Sequence, residues 1–111
     1  MGVVVCADSD GIRDSWGPYG NGDMLERAMI LGLRNTFRRD DEVEMALDVC
    51  TYGGAKVVRR SGYGIDVGCN ADLVLLPAET AAHAVVERPA DRTVLKGGLI
   101  VAQGGEVGIP N

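Results

Sequence analysis

Three carboxylates stand close together near the start of the chain. Asp8, Asp10 and Asp14 follow the apolar run Val3-Val4-Val5-Cys6 and share their stretch with Ser9, Gly11 and Trp16. An apolar run that stops at polar residues and a glycine reads as a buried strand delivering side chains at its end. Strand ends hold side chains in fixed directions, so carboxylates there can bind a metal ion or accept a proton. The competing reading makes them turn-forming and helix-capping aspartates, a role that short acidic side chains fill well. On the residues alone both readings stand.

Other chemistry is sparse. His83 is the only histidine, and catalytic metal sites and acid–base pairs usually draw on a cluster of ligands or more than one imidazole. It falls in an expected surface helix and reads as a solvated residue. Cys6, Cys50 and Cys69 are odd in number and form no CxxC pair, which indicates neither a structural zinc site nor a disulfide framework. Free cysteines of this kind suit a reducing compartment.

A chain of 111 residues makes one small domain, since a complete (β/α)8 barrel needs about 250 residues. Hydrophobic residues at 46% and charged residues at 24% match ordinary soluble proteins. The net charge of −5 argues against nucleic acid or an anionic membrane surface as partner. No run approaches the ~18 apolar residues of a membrane span, and no signal peptide precedes Asp8. A cytoplasmic location is therefore expected.

The elements that must position the acidic stretch follow from pattern. Residues 3–6 read as a strand buried on both faces, and 8–22, rich in Gly, Pro, Asp and Ser, as a loop. Asn21 or Asp23 can cap a helix over 24–37, with Leu25, Ala28, Met29, Leu33 and Phe37 on one stripe. Asp40-Asp41 caps a second helix bearing Val43, Ala46, Leu47 and Cys50, broken or bent at Gly53-Gly54, with a short helical turn over 55–58 after Thr51. Residues 71–77 read as a strand ended by proline, and 80–88 as a short helix with a weak, alanine-rich face. Residues 92–96 and 99–103 flank Gly97-Gly98 as a hairpin, with Gly104-Gly105 allowing one more turn.

The acidic stretch also resembles the last barrel strand of cytosine deaminase-like members of the amidohydrolase superfamily. In them the strand ends in a Ser-Asp or His-Asp pair, followed by Arg-Asp-Pro-Trp or similar. Here the sequence is Ser9-Asp10-Gly11-Ile12-Arg13-Asp14-Ser15-Trp16, and the likeness runs on through Gly17-Pro18-Tyr19-Gly20-Asn21-Gly22-Asp23-Met24-Leu25. Gly62-Tyr63-Gly64-Ile65, Val67-Gly68 and Ala71-Asp72-Leu73-Val74-Leu75-Leu76 resemble the family segment that leads from the barrel into a small β-sandwich. Residues 92–102 are similar to that sandwich's closing hairpin.

The resemblance implies an α/β fold: the last strand and helices of a (β/α)8 barrel over 1–60, then a small β-sandwich portion over 61–111. As a lone chain this would be a small α+β domain. Asp10 matches the family's metal-ligand aspartate, which also exchanges a proton with the metal-bound water, and is thus the implied metal and catalytic residue. Trp16 matches an aromatic that packs against a flat pyrimidine, where a rigid ring supplies stacking and apolar contact. Its alternative role is a core tryptophan that anchors the loop.

The family's His-x-His pair, later histidine, catalytic glutamate and further histidine have no counterpart, because the chain begins where the last barrel strand begins. The resemblance therefore implies a C-terminal fragment or truncated relative of a metal-dependent amidohydrolase that deaminates a pyrimidine or related heterocycle. Intact relatives would hold zinc or iron. One carboxylate does not hold a catalytic metal, so this chain alone is expected to be inactive and metal-free. Open strand edges and apolar faces imply a homo-oligomer, or a partner chain supplying the rest of the barrel. Two alternatives stay open: a small stand-alone binding or structural protein reusing the scaffold, and an amidohydrolase acting on another substrate.

Overall fold

In the computed structural model, which describes residues 2–108, helices and sheet form separate layers of a small mixed α and β domain. Helix α1 spans Met24–Arg34, α2 Asp40–Cys50, α3 Tyr52–Val57 and α4 Ala81–Glu87. Strands β1 (Leu73–Leu75), β2 (Thr93–Lys96), β3 (Leu99–Gln103) and β4 (Glu106–Val107) form one antiparallel meander in the order β1-β2-β3-β4. No helix among the described residues is long and apolar enough to cross a membrane.

Asp23 starts α1 as expected, its Oδ1 accepting the Leu25 and Glu26 N–H groups, which satisfies donors a helix start leaves open. The helix stops at Arg34, short of residue 37. Thr36 takes a left-handed φ of 55° and the Phe37 N–H turns back to the Gly32 carbonyl at 2.9 Å, a terminating geometry of the Schellman kind. The second helix is not capped by Asp40 or Asp41, which are its first helical residues. Glu42 instead reaches back to accept the N–H groups of Arg38 and Arg39 at 2.8 and 3.0 Å. The break between α2 and α3 falls at Thr51 (φ −125°, ψ −85°) rather than at Gly53-Gly54, which lie inside α3.

The core sits among α1, α2 and α4, where Ala28, Ala46 and Val85 are buried beneath Leu25, Met29, Val43 and Leu47. Ala82 and Ala84 of α4 are also buried. The alanine-rich face that looks weak by hydrophobicity is thus a packing face, since small side chains let helices approach closely. Residues on both sides of position 60 share this core. The sheet stands apart: among the described residues no strand residue comes within 8 Å, Cα to Cα, of a helix. Its turns require glycine, for Gly97 and Gly98 have φ of 58° and 82° and Gly104 and Gly105 have 59° and 87°, the paired positive values of a type I′ hairpin turn.

Residues 3–6 do not form the expected strand. They join no ladder among the described residues, and Val3, Val4 and Val5 are 87%, 54% and 59% exposed. A strand is defined by its partners, and all four strands present pair with one another. The segment is held instead by the Ala7 N–H, which donates to the Val49 carbonyl of α2 at 2.9 Å. Its backbone also passes so close to Gly53 that a Cβ there would clash with the Val5 carbonyl. Gly53→Ala is therefore expected to destabilise: overpacking of about 1–3 kcal/mol outweighs the ~1 kcal/mol an alanine gains over glycine in a helix. Loss of amide-exchange protection at Ala7 is the measurement; unchanged protection together with a gain in stability would refute this account.

Candidate functional site

The loop over 8–22 is built by its own aspartates and glycines. Asp8 Oδ1 accepts the Asp10 N–H at 2.9 Å, and Asp14 Oδ1 accepts the Trp16 and Gly17 N–H groups at 2.9 and 3.2 Å. These are the hydrogen bonds of Asx turns. Across the loop the Arg13 N–H donates to the Tyr19 carbonyl at 3.0 Å. Gly20 lies against the Gly11 carbonyl so closely, at φ 101°, that no side chain would fit. The turn reading thus describes Asp8 and Asp14 well.

Asp10 differs from both. Its carboxylate is exposed and has no hydrogen-bond partner among the described residues, and its backbone is left-handed at φ 62°. The turn is tightened by the Gly11 N–H, which donates to the Ser9 carbonyl at 2.7 Å. That same carbonyl accepts from Arg27 Nη2 of α1 at 3.4 Å. Trp16 is 97% exposed, so no described residue packs over its ring.

The structure does not gather a metal site from this chain. Among the described residues no three His, Cys, Asp or Glu side chains lie close enough to hold an ion, so Asp10 amounts to a single carboxylate donor and the described residues by themselves do not fit the implied metal. His83 is half-buried rather than solvated and sits on α4, where its Nδ1 accepts the Glu79 N–H at 3.2 Å. Cys50 faces the helix packing, and burial pushes its thiol up, opposed by the charge of Arg27. A hollow of about 330 Å³ lies beside Asp23, Arg88 and Arg92, and neither Asp10 nor Trp16 lines it.

Two features near the loop are not visible in sequence pattern. Asp23, which ends the loop and starts α1, receives a two-pronged ion pair from Arg92 at 2.9 and 3.0 Å. Arg92 lies just before β2, so this pair ties helix layer to sheet layer. The Arg27 contact to Ser9 is the other. Both join an arginine to a partner far away in the chain, where no periodicity signals them.

The chain matches the model of the amidohydrolase family over residues 1–102. It is 34% identical over 103 residues to N-isopropylammelide isopropyl amidohydrolase of Pseudomonas sp. (strain ADP), covering 92% of this chain and 26% of that protein. The crystal structure of N-isopropylammelide isopropylaminohydrolase from Burkholderia multivorans is 50% identical and aligns with a TM-score of 0.82, covering 87% of this chain and 25% of that one. The chain spans about a quarter of the length of these relatives.

Proposed function

Since the chain belongs to the amidohydrolase family, we infer that it supplies one edge of an active site that hydrolyses a carbon–nitrogen bond and releases an amine. The relatives' names describe removal of isopropylamine from N-isopropylammelide. The same reaction type covers the deamination of a pyrimidine or related heterocycle. In this reading residues 1–60 belong to the barrel and 61–111 to the small sandwich, and the rest of the barrel comes from additional chain. Asp10 is the carboxylate contributed here, as a metal ligand and proton acceptor, and Trp16 packs on a flat substrate.

The observation that carries this reading is the contrast among the three aspartates. Asp8 and Asp14 are occupied by backbone N–H groups, whereas the Asp10 carboxylate is open. A carboxylate with nothing to bind within its own loop is suited to a ligand or proton role, since solvent or an incoming group must complete it.

The test is reconstitution. The N-terminal three-quarters of the Burkholderia relative is co-expressed with this chain, and release of isopropylamine from N-isopropylammelide, or of ammonia from cytosine, is assayed. The relative's own C-terminal quarter, supplied as a separate chain, is the control that such a split works. Amine release with this chain supports the reading; none, when the control is active, sinks it in favour of a non-catalytic scaffold. Light scattering gives a companion result. Val74, Leu75, Leu99, Ile100 and Val107 are more than half exposed on the sheet, and apolar surface of that kind favours association. The chain alone is expected to form a dimer or larger oligomer at micromolar concentration, and a monodisperse monomer would refute that.

A further inference from the structure

Arg27 is half-buried on α1, yet it has no carboxylate within ion-pair distance among the described residues. A partly buried arginine covers its apolar stem and leaves its guanidinium free to find a partner at the surface. Here the guanidinium is directed instead at a backbone carbonyl, that of Ser9, eighteen residues earlier. That carbonyl is already the acceptor of the Gly11 N–H. The residue between them is Asp10, held at φ 62°, a left-handed conformation uncommon outside glycine and one that aspartate and asparagine enter most readily. Two restraints on the turn are local, the Asp8 carboxylate on the Asp10 N–H and the Gly11 N–H on Ser9. The third comes from a helix.

We propose that Arg27 is a positioning residue for the site: by donating to the Ser9 carbonyl it locks the left-handed turn from which the Asp10 side chain leaves. The consequence for function rests on the reading of Asp10 as the site carboxylate. The structural claim does not. Two further contacts join the same segments: the Ala7 N–H donates to the Val49 carbonyl of α2, and the Arg27 charge acts on the neighbouring Cys50 thiol. Arg27 therefore ties the end of the apolar run to the helix core at the point where a loop turn alone would be soft. The donor is a single guanidinium nitrogen, Nη2, and a carbonyl oxygen has a second lone pair to receive it beside the Gly11 N–H.

The test uses the full chain and needs no activity. Backbone amide resonances and amide exchange are compared in wild type, Arg27→Met and Arg27→Lys. Arg27→Met keeps most of the apolar stem and removes the donors. It should shift the Ser9, Asp10 and Gly11 resonances and speed exchange of the Gly11 amide by on the order of tenfold, while α1 amides and the Asp23 capping signals stay in place. Arg27→Lys should restore part of the wild-type pattern. Unchanged Ser9–Gly11 signals in a folded Arg27→Met protein would overturn the proposal, as would equal shifts spread over the whole helix core, the mark of a packing role only. In the reconstituted enzyme, Arg27→Met should lower kcat with KM little changed. If the turn loosens but kcat does not fall, the role of Asp10 is at fault rather than that of Arg27.

Discussion

Asp23→Ala is expected to lower stability by about 2–4 kcal/mol, the largest single-residue loss outside the helix core. Two effects combine. The helix start loses the acceptor of the Leu25 and Glu26 N–H groups, at about 1 kcal/mol. Arg92, three-quarters buried with its partner, loses its counter-ion and the acceptors of both Nη groups, keeping only the Nε bond to the Pro89 carbonyl, at about 1–3 kcal/mol. Asp23→Ser separates them, since serine caps a helix but does not pair with arginine. It should recover about 1 kcal/mol of the loss, and Arg92→Met should be milder than Asp23→Ala because the Asp23 carboxylate it leaves keeps the Leu25 and Glu26 N–H groups and the positive helix start as partners. Urea unfolding of these variants and of the Asp23→Ser/Arg92→Met double variant measures the coupling. A loss below about 0.5 kcal/mol for Asp23→Ala, within the range of ordinary surface substitutions, would mean the pair does not join the two layers.

The same pair sets a pH dependence. Burial pushes the Asp23 carboxyl up, but the Arg92 hydrogen bonds and charge, with the Leu25 and Glu26 N–H groups, outweigh it and hold the group below its usual range. A carboxyl depressed in the folded state gives stability that is complete above its unfolded pKa and is lost as pH falls through the folded value. Glu42, accepting from Arg38 and Arg39, and Asp72, accepting from Lys96 Nζ and the Gly97 N–H, are depressed too and act in the same direction. Stability should therefore fall from pH 6 toward pH 3, and the gap between wild type and Asp23→Ala should narrow over that range. A gap that stays constant down to pH 3 would remove the ion pair from the account.

What could be read from sequence was what short-range physics dictates. The glycine pairs at 97–98 and 104–105 mark both hairpin turns, because few other residues take positive φ twice in succession. Asp23, a candidate cap together with Asn21, does start a helix, since its side chain meets an N–H two residues on. What could not be read depends on partners distant in sequence. Residues 3–6 have strand propensity, but propensity supplies no neighbour to pair with. Thr51 ends α2 although two glycines stand just beyond, because its Oγ1 donates to the Leu47 carbonyl and the chain turns there first. The site shows the same division. Asx turns at Asp8 and Asp14 are local and legible, while the Arg27–Ser9 and Asp23–Arg92 contacts leave no local pattern.

Asp10→Asn in the reconstituted enzyme is expected to cut the rate of amine release by about 10²–10⁴-fold, the usual loss when a positioned proton acceptor is removed. Asparagine keeps the shape and tolerates the left-handed backbone of Asp10, so the loss would report the charge and basicity of the carboxylate rather than a refolded loop. Asp10→Ala should do the same and also reduce co-purifying zinc or iron, because a ligand is gone. Asp14→Asn is the control: its oxygen accepts the Trp16 and Gly17 N–H groups, a task an amide oxygen also performs, so the rate should change by only a few-fold. Trp16→Ala should act chiefly on KM, since an exposed ring face contributes contact with substrate and no proton chemistry. The decisive comparison is between the two aspartates. Equal losses at Asp10 and Asp14 would mean that loop shape, not an open carboxylate, is what this segment contributes, and full activity in Asp10→Asn would place the proton acceptor elsewhere in the assembled barrel.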